Sequence, residues 1–217
     1  MTVYFISGLG ADKRAFEKLT LPQKITIKYV EWVENSEDES LAGYCHKLCD
    51  QINIKEDFSL VGLSFGGIVA VELAKIIEPK QVVLISSIAT SKELPVDRFG
   101  HFLFKKLHLY KLIPASIFKN ANAITYWFFG VKNKDEKDLL KQIISDTPPA
   151  FAKWAFGRIL TWENTIKPKH LFHIHGSADK LFPIKNTSAD VTINGGGHFM
   201  VYSKAEEVSK VLAARFN

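Results

Sequence analysis

A chain of 217 residues is long enough for one well-packed domain, and 47% hydrophobic with 24% charged residues is the composition of a globular protein rather than a disordered one. No apolar run approaches the ~18 residues of a bilayer span, and MTVYFISGLGADKR lacks the basic-then-apolar layout of an export signal, so a cytoplasmic chain without a membrane span is expected. The net charge of +5 is concentrated between Ser91 and Glu163, where 12 Lys+Arg face 7 Asp+Glu; the basic residues there mix with acids and apolar side chains, which does not read as a nucleic-acid surface.

TVYFIS (2–7) is a short β-branched and aromatic run ended by glycine, the pattern of a buried strand. DKRAFEKL (12–19) reads as a short helix with Asp12 as its cap, and ITIKYVEW (25–32) as a second strand. In the acidic turn NSEDES, the spacing of Ser36 and Glu39 suggests a capping box. The helix after it, Leu41 to Ile52, carries Cys45 and Cys49 one turn apart on one face, a poor geometry for a disulfide, so they read as small buried or half-buried thiols. FSLVGL (58–63) is a third strand, FGGIVAVELAKII (65–77) a helix closed before Pro79, and QVVLISS (81–87) a fourth strand. HLFHIHG (170–176) and DVTIN (190–194) are the fifth and sixth, and SKAEEVSKVLAARF (203–216) is a closing helix. Strands that are apolar throughout and alternate with helices imply a three-layer α/β/α fold with a mostly parallel sheet of about six strands.

Residues 91–163 break this rhythm. They hold 13 of the 26 aromatic residues in about a third of the chain, as helical pieces near 98–112, 114–129, 135–146 and 149–161 punctuated by prolines. A helical insertion after the fourth strand reads as a cap over the C-terminal edge of the sheet, where open α/β sheets bind ligands. The core would then be 1–90 and 164–217, with 91–163 a cap and not an independent domain.

The chemistry centres on Gly62-Leu63-Ser64-Phe65-Gly66, a G-x-S-x-G at the joint between a strand and a helix. A strand that turns sharply into a helix crowds the positions two before and two after the serine, which calls for glycine there. The same five letters also occur in ordinary loops; the strand–turn–helix context favours a nucleophile. The N–H of Phe65, at the helix start, is placed to donate to an oxyanion. A serine needs a base and a group to orient it. Asp179 in HGSADKLFP follows the fifth strand and His198 in GGGHF follows the sixth, so both would reach the edge where Ser64 stands. Either alone reads as a turn or loop residue; the ordered set of three does not. A second oxyanion donor should come from the loop after the first strand, Ser7-Gly8-Leu9-Gly10, with the Leu9 N–H as the candidate and a plain strand-to-helix turn as the alternative.

With ISGLGADKRAF, VGLSFGG, HGSADKLFP and GGGHF in place, the chain resembles the α/β-hydrolase superfamily over essentially its whole length. The resemblance implies a catalytic triad of Ser64, Asp179 and His198 and an oxyanion hole from the N–H groups of Phe65 and Leu9. It departs from the family where Ser7 stands in place of the usual histidine before Gly8, where the first strand begins at residue 2, and where the short Asp179–His198 interval leaves room for one helical turn near Pro183–Ser188. The chain looks like a compact member.

His173 and His175 share a strand face, which could suggest a metal, but no third ligand is evident and none is expected. His101 and His108 read as surface or cap-packing residues. No nucleotide-binding glycine loop occurs, and no cofactor is expected. Of the cap aromatics, Trp127, Phe128 and Trp154, with Phe199 beside His198, are the candidates to line a pocket, against the plainer reading of internal packing. The expectation is a serine hydrolase of small, apolar carboxylic esters, monomeric or homodimeric, acting on a small-molecule substrate. Thioesterase, amidase or C–C bond hydrolase activity on the same residues is the alternative, with a non-catalytic binding protein as the rival from another class.

Overall fold

The computed structural model describes residues 1–96, 100, 102, 106–107 and 109–216. Six strands form one all-parallel sheet: β1 (Thr2–Ile6), β2 (Thr26–Val30), β3 (Phe58–Leu63), β4 (Val82–Ile85), β5 (Leu171–Gly176) and β6 (Val191–Ile193), in the order β2-β1-β3-β4-β5-β6. Successive strand residues feed opposite layers. Tyr4, Ile6, Leu60 and Leu84 pack beneath α1 (Leu41–Cys49) and α2 (Phe65–Leu73). Val3, Phe5, Val61 and Val83 face the other layer, which includes the 3₁₀ turn Lys13–Phe16 and two helices near the C-terminus. Covering both faces is why the central strands are apolar without alternation.

Between β4 and β5 lies the helical insertion: 3₁₀ turns at Ser91–Glu93, Leu109–Leu112 and Ala115–Phe118, then α3 (Ala123–Phe129), α4 (Lys134–Asp146) and α5 (Pro149–Leu160). The chain closes with α6 (Met200–Ser203) and α7 (Ala205–Arg215). Part of the expected helix at 98–112 lies outside the described residues, His101 and His108 included, and its last four residues form the 3₁₀ turn Leu109–Leu112.

Three local expectations shift. The helix at 12–19 is only a 3₁₀ turn: Asp12 accepts from the Arg14 N–H at 2.9 Å, and Leu19 N donates to Phe16 O three residues back. Ser36 and Glu39 do bond reciprocally, Ser36 N to Glu39 Oε2 at 3.2 Å and Glu39 N to Ser36 O at 3.1 Å, but this closes a turn; the cap of α1 is Ser40, whose Oγ accepts from Gly43 N. The expected helix at 114–129 is broken in two, because Asn122 takes both the Ile124 and Thr125 N–H groups on its Oδ1 and starts a new helix.

Register sets the working edge. Ile6 pairs with Gly62 and Leu63 with Ile85, so β1, β3 and β4 end together. Ser64 follows with φ 52° and ψ −119°, a left-handed conformation that costs about 1–3 kcal/mol in a non-glycine residue. Its N–H donates to Ile85 O at 3.0 Å, and its carbonyl accepts from Ser87 Oγ at 2.6 Å. Ser86, between these two partners, is itself at φ 46°.

The two elbow glycines are forced by contact. A Cβ on Gly66 would lie 2.2 Å from Ser7 O and 2.3 Å from Ile6 O, and one on Gly62 would lie 2.4 Å from Gly66 O. Each neighbour is backbone and cannot swing aside. We therefore expect Gly66→Ala to lower unfolding free energy by about 1–3 kcal/mol or more, read as a lower urea midpoint with an unchanged slope; a midpoint equal to wild type would contradict the contact.

Candidate active site

Strand order reverses at β1: β2 lies on one side of it and β3, later in sequence, on the other. Crevices at such a reversal, beyond the carboxyl ends of the strands, are where parallel sheets bind ligands. Two loops meet there, the one after β1 and the elbow after β3.

The first loop is a turn closed by Ala11 N donating to Gly8 O at 2.9 Å. Ser7 Oγ and Trp32 Nε1 both donate to Ala11 O, and Thr147 Oγ1, at the end of α4, lies 2.9 Å from Gly10 O. Ser7 thus supplies the internal tie of this loop. The pinned backbone comes close to the elbow, a Cβ on Gly8 lying 3.5 Å from Ser64 Cβ. Leu9 lines the cavity above Ser64. The Phe65 ring is fully buried, 5.5 Å from the ring of Trp32, and does not line the cavity. As the first residue of α2, its N–H has no partner within the helix.

Ser64, His198 and Asp179 are brought together. Ser64 Oγ lies 2.8 Å from His198 Nε2, and His198 Nδ1 lies 2.9 Å from Asp179 Oδ2. Because the carboxylate only accepts, Nδ1 carries the proton and Nε2 is left to accept from the serine hydroxyl. Asp179 Oδ1 accepts from the N–H groups of Leu181 and Phe182, each at 2.9 Å. Burial would raise the Asp179 carboxyl; the His198 ring, these N–H bonds and His175 outweigh it and hold the group below the usual carboxylate range. The edges of Phe129 and Phe182 pack on the His198 ring at 5.4 and 5.6 Å. Chemically, such a chain can take a proton from a hydroxyl and hold the resulting imidazolium beside a fixed anion.

Behind Asp179 stands a pair that sequence reasoning did not assign. His175 Nε2 lies 2.7 Å from Phe182 O and 3.5 Å from Asp179 Oδ2. A carbonyl only accepts, so Nε2 carries the proton, Nδ1 is bare, and His173 Nε2 donates to it at 3.0 Å. The face-sharing that suggested a metal is instead a hydrogen bond between the two rings, and its outer end ties down the loop that carries the acid. Among the described residues, no group of three or more His, Cys, Asp or Glu is placed to hold a metal.

Above Ser64 is a cavity of about 380 Å³ with an overwhelmingly apolar lining. The insertion builds its roof at helical spacing: Leu140, Ile143 and Ile144 from α4 with Thr147 just past its end, and Ala152, Phe156, Ile159 and Leu160 from α5. Of the four expected pocket residues, Phe199 is in the lining. The other three are not. Trp154 is buried on the opposite face of α5, its ring tilted against that of Tyr44 at 4.6 Å with Nε1 donating to Glu39 O at 2.9 Å. Trp127 and Phe128 point outward, 57% and 37% exposed, while Thr125 and Phe129 face in. The start of α3 at Asn122 sets that phase, so Asn122 with Thr125 was the readable signal for Phe129. The i, i+4 spacing of Ala152 and Phe156 was the signal for Phe156.

A model of the alpha/beta hydrolase family matches residues 30–211. Among solved structures, a thermophilic esterase from Thermogutta terrifontis is 15% identical with a TM-score of 0.69, covering 100% of this chain and 89% of its own. An esterase from Exiguobacterium antarcticum is 15% identical with a TM-score of 0.69, covering 99% and 91%. A bromoperoxidase from Bacillus anthracis is 17% identical with a TM-score of 0.63, covering 97% and 90%. At these identities the likeness is one of fold. No curated protein sequence matches significantly.

Burial and the neighbouring ring of His175 push His173 down to about 3 from the ordinary 6.5. The unfolded chain therefore takes up a proton on this residue below pH 6.5 that the folded chain refuses until about pH 3, so this part of the stability is present above 6.5 and is lost as pH falls. From pH 8 to pH 5 the loss is about 2 kcal/mol. In urea titrations, wild type should lose that much more than His173→Phe over this interval; parallel pH profiles would show the ring is not held neutral.

Proposed function

Because the chain belongs to the alpha/beta hydrolase family, we propose that it hydrolyses small carboxylic esters with apolar acyl groups through an acyl-enzyme on Ser64. The observation that carries this reading is the continuous hydrogen-bonded chain Ser64–His198–Asp179 at the floor of an apolar cavity. In this reading residues 91–163 act as a cap whose inner helices hold the acyl group, and 1–90 with 164–217 carry the reacting groups.

In the first step Ser64 Oγ attacks the ester carbonyl as its proton passes to His198 Nε2. The imidazolium is stabilised by Asp179, which its neighbours keep ionised at neutral pH. The carbonyl oxygen becomes an oxyanion held by the backbone N–H groups of Phe65 and Leu9, the former at the positive end of α2. The family match begins at residue 30, so the assignment of Leu9 rests on the approach of its loop to Ser64 alone. Collapse of the tetrahedral intermediate breaks the C–O bond, and the alcohol leaves with the proton from His198. Water, deprotonated by His198, then attacks the acyl carbon and frees Ser64.

The elbow's strain and its bonds to Ile85 and Ser87 hold the nucleophile in place before substrate arrives, so little orientation remains to be arranged during reaction. The lining supplies apolar surface for the acyl group and few hydrogen-bonding partners for a polar one.

A fluorophosphonate probe should label wild type stoichiometrically at Ser64 and leave Ser64→Ala unlabelled. Asp179→Asn should lower kcat by about 10³–10⁴ while the fold persists. Over p-nitrophenyl esters of rising chain length, kcat/KM should climb by about fourfold per methylene, the equivalent of ~0.8 kcal/mol per buried CH₂, until the cavity is full. Turnover confined to acetyl or polar esters would overturn the acyl preference, and faster turnover of acyl-CoA thioesters would reassign the leaving group.

A further inference from the structure

The cap helix α3 is apolar on both sides. Thr125 and Phe129 line the cavity, and Ile124, Trp127 and Phe128, at i, i+3 and i+4, form the face turned to solvent. A helix that shows tryptophan, phenylalanine and isoleucine to water on its outer side has no packing reason to do so.

The feature extends beyond one helix. Seven of the eleven large hydrophobic side chains exposed among the described residues fall between 102 and 128: Phe102, Leu107, Leu112 and Ile117 join the three on α3. Concentration of this kind marks an interaction surface, where scattered exposure would not. Charge then selects the partner. From Arg98 to Lys134 the sequence holds seven basic residues and not one Asp or Glu. Two of the seven are paired with acids outside the stretch, Lys111 with Asp38 and Lys134 with Asp138. Lys106, Lys119 and Lys132 are exposed on its described part. Lys180 reaches in from the acid loop, its Nζ 3.8 Å from the centre of the Trp127 ring and 3.0 Å from Trp127 O.

We propose that this outer face of the cap, centred on Ile124, Trp127 and Phe128, docks on the surface of an anionic phospholipid bilayer. Aromatic and aliphatic side chains interleaved with lysine are what a headgroup layer accommodates: the rings enter the acyl boundary and the ammonium groups meet lipid phosphate. A second copy of the chain fits the same face poorly, because it would set lysines against lysines with no acid in either stretch. The docked orientation also places the cavity. Ile117 is 67% exposed and lines the cavity together with Thr125 and Phe129 of α3, so an exposed apolar side chain stands at the pocket beside the docking helix. An apolar ester dissolved in the bilayer would then reach the pocket without crossing water.

Vesicle co-sedimentation tests the proposal without reference to catalysis. Wild type should sediment with phosphatidylcholine vesicles containing phosphatidylglycerol, much less with phosphatidylcholine alone, and less as salt is raised. Each lysine near an anionic surface strengthens binding by about fivefold, so Lys119→Glu should weaken uptake by at least that factor. The double substitution Trp127→Ser with Phe128→Ser should weaken it tenfold or more, while the far-UV circular-dichroism spectrum and a cooperative thermal transition above the assay temperature are retained. Failure of wild type to bind anionic vesicles overturns the proposal, as does binding that survives the double substitution. A concentration-dependent dimer abolished by the same double substitution, with no vesicle uptake, would assign the face to a second copy and overturn it too. None of these outcomes depends on Ser64, so they stand or fall apart from the esterase reading.

Discussion

The approach of one backbone to another at the elbow governs the rest of the molecule. Strand β3 becomes helix α2 within a single residue, and the first turn of that helix lies against the carbonyls of Ile6 and Ser7 at the end of β1. Only glycine at 62 and 66 permits this. Once it is permitted, Ser64 has nowhere to go but the left-handed region, with its N–H on Ile85 and its carbonyl on Ser87. The loop after β1 is forced close to the serine by the same contact, so Ser64 and that loop are positioned by one steric event. The register of β1, β3 and β4 brings their ends level and makes the event possible.

Around this fixed point the partners are held by loops tied at several places. Asp179 is fixed by two N–H groups on one oxygen, by His198 on the other, and by the His173–His175 pair behind its loop. The strained Ser64 and Ser86, and the neutral histidines buried beside the acid, are local costs of the kind that persist where surrounding structure over-determines a conformation. They gather at one edge of the sheet, and the regular apolar packing of both layers offsets them.

The sheet was legible because its central strands are buried without polar alternation, which neither a half-exposed strand nor an amphipathic helix would be. The elbow was legible because steric need and residue type coincide at Gly62 and Gly66. Ser64, Asp179 and His198 could be read as one group since each comes after a strand, and parallel strands deliver the loops at their carboxyl ends to one edge. The cap was harder for a physical reason. Trp127, Phe128 and Phe129 are consecutive, and which of them faces inward depends on where α3 begins. That is set by the side chain of Asn122 and not by hydrophobicity. Trp154 misled because α5 is buried on two sides, one toward the core and one toward the cavity, so apolar character could not tell them apart. His173 and His175 were visible as a pair on one face; that they bond to each other and to Phe182 needed the loop's path.

Where the insertion meets the core, the last turn of α3 gives up two backbone carbonyls. Trp127 O takes Lys180 Nζ from the acid loop, and Phe129 O takes the N–H of Phe199 next to His198. Helix ends always leave such oxygens without partners inside the helix, and here they hold both loops that the sheet delivers to Ser64. The insertion is therefore not a module that can be exchanged at its two chain connections. A different set of helices grafted between β4 and β5 would have to present two carbonyls at the same places, or the histidine loop would lose an anchor while every residue of the constellation stayed in the sequence. In this chain the insertion and the GGGHF loop are joined by a backbone hydrogen bond as well as by the chain itself.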